Sequence, residues 1–282
     1  GFVTAQNGEV YIQSNSSNGL TGSDYEQAYT CVKITPDTKD YIGTVSDDAS
    51  VVIPLRTTSK INKLVVSWFM STDSTNQTTV NLDDPIDTSV SLPSKSLWAS
   101  DTPPVLRLQL MQFADGNLDL DSFDNGGNGH TIYLYPKRVG ALHAFSSDVR
   151  RSGSLSPEVV ECSPTFLVTY ACQAEITLPD PVGGSADNRI AYLRLSSLYN
   201  ATSFSVSPMY DDTPVTFNAL QPSIDSTGRA ADVFRRVDAR VELSDPNDTM
   251  LYPRATVDTT NSFCKAFIIT DNLDDYQDSC AN

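Results

Sequence analysis

The sequence predicts an all-β chain, an antiparallel β-sandwich-like domain with long loops and little helix. Two observations carry that prediction. Apolar and polar residues alternate with period two over short runs, the signature of half-buried strands. The runs are separated by turns rich in Gly, Pro, Asn, Asp and Ser. With 282 residues the chain can bury a large core. It reads as a single β-rich domain over 1–282, with 1–155 and 156–282 as its natural subdivision.

Taken in order, Glu9–Gln13 is a short strand in a polar, Gly/Asn/Ser-rich opening, and Asp24–Ala28 suits one helical turn. Tyr29–Thr35 alternates and should end at Pro36, which has no N–H for a ladder. Tyr41–Val45 and Val51–Leu55 are short strands. Lys63–Met70, KLVVSWFM, is nearly continuously apolar and reads as a central strand, with Trp68 as a core anchor. Ser71–Pro104 is a long polar stretch that contains the second tryptophan, Trp98. Loops of such length are usually functional or flexible.

Val105–Gln112 and His130–Tyr135 are strands on either side of an Asp-rich loop, the second ended by Pro136, and Leu142–Arg150 is weakly patterned. Ile190–Pro208 reads as a hairpin turning at Tyr199–Thr202. Asp211–Thr227 is a loop with a short strand at Val215–Phe217. Val233–Leu243 alternates cleanly, and Cys264–Ile269 lies in the last strand before an acidic tail.

Between these lies Cys162–Pro179, CSPTFLVTYACQAEITLP. Phe166, Val168, Tyr170, Cys172, Ala174, Ile176 and Leu178 share one parity, with Pro179 as the expected stop. A single long strand and a Cys162–Cys172 bridge exclude each other. A bridge holds its Cα atoms roughly 4.4–6.8 Å apart, whereas ten residues of strand span about 33 Å. The segment is therefore either one strand or a disulfide-clamped hairpin of Pro157–Glu161 and Tyr170–Leu178. The hairpin is the expectation.

Charge and cysteines bound the function. The balance is 19 − 35 = −16. Such a field repels phosphate backbones and anionic membrane surfaces, so neither nucleic acid nor membrane is an expected partner. No apolar run reaches about 18 residues. Five cysteines in an acidic, Ser/Thr/Asp/Asn-rich chain suggest an oxidising, extracytoplasmic setting. Sequons at Asn15, Asn76, Asn200 and Asn247 are no more than chance would provide in such a composition.

The sequence offers no catalytic constellation. His130 and His143 lack metal-site spacing. Asp83/Asp84, Asp211/Asp212 and Asp274/Asp275 are sequence neighbours, which point apart on a strand and read as solvated charges. Asp115, Asn117, Asp119 and Asp121 place oxygens at alternate positions, as a calcium loop does. Leu120 and Gly126 depart from that pattern, so the reading is an acidic loop without a cofactor, calcium being the alternative.

Three segments carry a family resemblance: Ala191–Thr202 (AYLRLSSLYNAT), Gly228–Val241 (GRAADVFRRVDARV), and Cys162 with Tyr170-Ala171-Cys172 running into Ile176–Pro179, joined by Ser262–Lys265. They resemble the ectodomains of PilX-N-terminal-type pilin-like proteins of ultrasmall candidate-phylum bacteria. The match lies mainly over 155–282. The resemblance implies a non-enzymatic, extracellular minor-pilin-like subunit of a type IV pilus-like filament, acting in assembly, tip capping or adhesion. It implies other pilin subunits as partners, with a host-cell surface or glycan beyond them. The apolar helix that opens such pilins is not in these 282 residues, so the expectation is an ectodomain without it. The alternative is a carbohydrate-binding, adhesive β-sandwich using Trp98 and the Asp-rich loop. A hydrolase on the same scaffold is a third and weaker reading. The expected disulfides are Cys162–Cys172 and Cys264–Cys280, with Cys31 free.

Overall fold

The computed structural model describes residues 2–3, 10–12, 27–47, 49–82, 94–113, 129–138, 145–148, 158–166, 169–184, 190–230 and 233–241. The chain divides into a unit Gly1–Leu243, which holds all of these, and a unit Ser244–Asn282, which lies outside them together with the strand expected around Cys264–Ile269. In chain order the strands are β1 (Phe2–Val3), β2 (Val10–Ile12), β3 (Gln27–Thr35), β4 (Tyr41–Val45), β5 (Ser50–Pro54), β6 (Ile61–Met70), β7 (Val105–Phe113) and β8 (Gly129–Arg138). They continue with β9 (Phe145–Asp148), β10 (Glu158–Cys162), β11 (Tyr170–Val182), β12 (Ile190–Leu198), β13 (Thr202–Tyr210), β14 (Thr213–Pro214), β15 (Ser223–Ala230) and β16 (Val233–Arg240). Helical residues among those described are confined to 3-10 turns at Ser71–Asp73 and Lys95–Leu97. No helix among them is long and apolar enough to cross a membrane. The all-β expectation holds.

The pairings are nested. β4 pairs with β13, β5 with β12, β6 with β11 and β7 with β8, all antiparallel. β13 also takes β6 on its other side, and β12 takes β7. The result is two four-stranded layers, β4-β13-β6-β11 and β5-β12-β7-β8, with the chain passing between them from β4 to β5, β6 to β7 and β12 to β13. That is the double Greek key of a jelly-roll sandwich. Apart from β7–β8, these pairings join a strand from before residue 155 to one from after it, so the two halves interleave in one sandwich.

One apolar cluster fills the space between the layers. β6 contributes Leu64, Val66 and Trp68; β7 contributes Leu106, Leu108 and Leu110; Ile132, Ala174, Ile176, Leu193, Leu195, Phe204 and Val206 complete its middle. Trp68 is fully buried, at 0% exposure, and its indole Nε1 donates to the Pro104 carbonyl at 3.2 Å. The core anchor expected from the sequence is thus in place, and its one polar atom is satisfied.

Several sequence expectations are corrected. β12 and β13 do not form a hairpin, because each pairs within a different layer, so the Tyr199 turn crosses the sandwich edge. Pro136 and Pro179 do not end their strands. Pro136 lies beyond the last β7–β8 pair, Leu106↔Leu134, and its only ladder partner is Val160 of β10. Pro179 and Pro181 fall in the irregular step of β11 between Thr177↔Lys63 and Val182↔Ile61. In both places a missing N–H leaves no rung broken. Gln27 and Ala28 belong to β3 rather than to a helical turn, and the short strand after Asp211 is Thr213–Pro214. Phe217 instead forms isolated bridges with Thr38 and Thr57. Two pairings are parallel, β8–β10 and β9–β11.

A second sheet, ordered β1-β2-β3-β15-β16, is made of segments that precede β4 and follow β14.

Candidate functional site: the disulfide seam and an exposed sheet

The two layers of the jelly roll meet along β10. This strand runs parallel to β8 from Glu158↔Leu134 to Cys162↔Arg138, and at its last residue it pairs with Cys172 of β11. Cys162 and Cys172 are bonded there, with Cα atoms 4.4 Å apart, and both are fully buried. Of the two readings of Cys162–Pro179, the clamped hairpin is the one found. Its loop folds back on the sandwich. Ser163 N donates to the Ala171 carbonyl at 2.8 Å, and Val80 N donates to the Pro164 carbonyl at 2.9 Å. Phe166 stacks on Phe69 at 6.0 Å. The bond therefore staples the seam between the layers, and it fits an oxidising compartment. Cys264 and Cys280 lie outside the described residues, and Cys31 sits in β3 opposite Thr227.

The polar stretch after β6 is pinned by Asp73. Its Oδ2 accepts from Met70 N at 2.9 Å and from Ser203 N at 2.7 Å, and its Oδ1 accepts from Ser203 Oγ at 2.8 Å. Beside it, Phe69 has φ of 68° and its N–H donates to Thr202 Oγ1 at 3.1 Å. A non-glycine residue in that region is held by its surroundings, here the Thr202 hydroxyl and the Phe166 ring.

Trp98, offered by the sequence as a ligand platform, is half-buried. One face stacks on Tyr199 at 4.3 Å with planes 7° apart, and Tyr135 meets it edge-on at 5.9 Å. The ring joins Lys95–Leu97 to the β12–β13 turn, and Asn200 Nδ2 reinforces that junction by donating to the Ala99 and Thr102 carbonyls. Tyr199 already covers one face of the indole, so the residue acts first as a packing element.

Asp211 and Asp212 lie in the exposed β13–β14 turn, where Asn62 Nδ2 donates to Asp211 Oδ1 at 2.7 Å and Lys63 reaches Asp212 at 3.5 Å. They are partnered loop charges, as the sequence suggested. Asp115, Asn117, Asp119 and Asp121, the pairs Asp83/Asp84 and Asp274/Asp275, and His143 lie outside the described residues, and His130 is the second residue of β8. No cluster of three or more His, Cys, Asp or Glu that could hold a metal occurs among the described residues.

Sequence reasoning missed the surface on β3, β15 and β16. Register places Ile34, Ile224 and Ala239 in one row and Val32, Ser226 and Val237 in another, on one face. Ile34, Val32 and Val237 are exposed, Val237 at 58%. The opposite face is charged. Arg236 donates to Asp225 through Nε, at 2.8 Å, and through Nη2, and Ser223 Oγ donates to Asp238 at 3.0 Å. The Arg236 hydrogen bond lowers the Asp225 carboxyl below its ordinary value. Arg240 reaches Asp40 at 2.9 Å. The alternation of Val233–Leu243 was a visible signal of a strand, but alternation does not say whether its apolar side is covered. No protein-family model matches the chain, and neither a curated protein nor a solved structure matches it significantly.

Proposed function

We propose that this chain is a non-enzymatic, extracytoplasmic assembly subunit, a jelly-roll building block that packs with copies of itself into an ordered shell. The nested pairing of β4–β13, β5–β12, β6–β11 and β7–β8 carries the reading. Jelly-roll sandwiches recur as capsid subunits, as lectin domains and as cupins. The step from fold to role is one of architecture, not of a catalytic site. The core of the sandwich is filled by apolar side chains, and Trp98, the sugar platform the sequence offered, is stacked on Tyr199. The buried disulfide agrees with a particle or surface that meets an oxidising exterior.

A second reading is a filament subunit of the minor-pilin-like class, located at the cell surface, with other pilin subunits as partners. The resemblance over Ala191–Thr202, Gly228–Val241 and Cys162–Pro179 supports it, and reading the coding sequence upstream of residue 1 tests it. An apolar prepilin-like helix there favours the filament, and a continuation without one removes it.

The assembly reading is tested by concentrating the oxidised, full-length chain and examining it by negative-stain electron microscopy and light scattering. Ordered closed particles are expected. A protein that stays monomeric and binds on a glycan array overturns the reading in favour of the lectin-like alternative.

A further inference from the structure

We infer that the outer edge of β16 is a homotypic interface, on which two copies of this chain pair their β16 strands antiparallel about a two-fold axis through Val237. This names the contact by which the proposed assembly subunit joins a copy of itself, and so rests on that reading.

Three observations converge on the strand. β16 stands last in the order β1-β2-β3-β15-β16, and no described strand pairs with its outer edge. Such an edge is a template for a further strand. Its side chains are open on both faces: Val233, Phe234 and Val237 are exposed, and Val241 follows them. Finally, its charge is mild for this protein. Over 223–241 the chain carries Arg229, Arg235, Arg236 and Arg240 against Asp225, Asp232 and Asp238, or 4 − 3 = +1, in a protein of net −16. Two such acidic molecules repel less across this hairpin than their net charge alone would suggest.

The sequence Val233-Phe-Arg-Arg-Val-Asp-Ala-Arg-Val241 is complementary to its own reverse about Val237. With the axis there, Val237 meets Val237, Arg236 meets Asp238 twice, Arg235 meets Ala239, Phe234 meets Arg240 and Val233 meets Val241. Directly opposed residues share a face, so the valines fall on the apolar side and the ion pairs on the charged side. Moving the centre to Arg236 sets that arginine against itself. Moving it to Asp238 sets Asp238 against Asp238 and Arg236 against Arg240. Like charges directly opposed are unfavourable, so these neighbouring registers are discouraged. The same two-fold makes the contact isologous, the commonest way two identical subunits meet.

The test is sedimentation velocity on the oxidised full-length chain and on Val237→Glu, which sets two carboxylates against each other at the axis. Wild type should contain a dimer, and the variant should raise its dissociation constant at least about tenfold. Thermal melting of the variant monomer confirms that it folds, and Val233→Glu with Val241→Glu repeats the test from the flanks should it not. Mild oxidation of Val237→Cys should give a covalent dimer absent from wild type. An assembled wild type whose size Val237→Glu leaves unchanged, or a Cys crosslink formed by Ala239→Cys and not by Val237→Cys, refutes this edge and leaves the assembly reading intact. A wild type that remains monomeric overturns both.

Discussion

β13 and β16 show nearly the same sequence pattern and meet opposite fates. In β13, Phe204 and Val206 alternate with Ser203, Ser205 and Ser207. The strand lies between β6 on one side and β4 with β14 on the other, and Phe204 is 0% exposed. In β16, Val233, Val237 and Ala239 alternate with Phe234, Arg236 and Asp238, yet the strand is exposed along almost its whole length. The difference is position in the sheets. β13 is an inner strand of a layer that faces another layer, so the apolar side chains of its middle, Phe204 and Val206, find partners. β16 ends its sheet, and no apolar layer among the described residues covers Val237. An alternating strand thus marks a half-buried structure only when a second layer exists to bury it.

That contrast can be broken at several points. The largest effect is expected at Trp68→Ala, which empties the middle of the sandwich and leaves the Pro104 carbonyl without its donor. It should cost about 3–5 kcal/mol in denaturant unfolding. An effect below 1 kcal/mol would mean that the two layers do not share one core. Next comes the seam. Replacing Cys162 and Cys172 together by Ser should lower stability by somewhat under ~3 kcal/mol on the chain-entropy account of a short closed loop. Melting with and without reductant checks this, since reductant should lower the wild-type midpoint by more than the variant's.

Asp73→Ala removes the acceptor for Met70 N, Ser203 N and Ser203 Oγ, and should cost about 1–3 kcal/mol. Asp73→Asn should recover part of that, because its amide keeps one oxygen. Val237→Ser should change monomer stability by no more than about 0.5 kcal/mol, as surface substitutions do. A loss comparable to that at Trp68 would show that another part of the chain covers β16.

The smallest effect is one of pH. The Asp225 carboxyl is held below its ordinary value by Arg236, so the pair's contribution is present above the ordinary carboxylate range. It fades as pH falls through the lowered value. NMR titration of Asp225 should show this displacement in wild type and its loss in Arg236→Gln.

Much of the sandwich was legible in the chain. The strands at Tyr29–Thr35, Tyr41–Val45, Lys63–Met70 and Val105–Gln112 lie within a few residues of where alternation put them. Trp68 declared itself by its surroundings, and the spacing of Cys162 and Cys172 confined their segment to two arrangements, of which the bond selects one. The prolines misled because their cost depends on whether a neighbour needs the missing N–H. At Pro136 and Pro179 none does. The Ile190–Pro208 hairpin misled for a related reason. A short turn is compatible with a hairpin and equally with a crossing between layers, and Tyr199 sits in such a crossing with φ of 82°.

By itself, then, the sequence determined where most strands form (though not β15, whose Ser223–Thr227 reads as loop), that helix is scarce, that the chain is strongly acidic, and which two cysteines are close enough in the chain to clamp a hairpin. Those properties depend on side-chain period, composition and short-range geometry, all of which are local. Only the tertiary structure decided that β4 finds β13, that β12 and β13 part company, and that the apolar side of β16 faces outward. Each of those outcomes is a choice among partners far apart in the chain. It is settled by the shared core of Trp68, Leu108, Ile176 and Phe204, a cluster that exists only once both layers have closed over it.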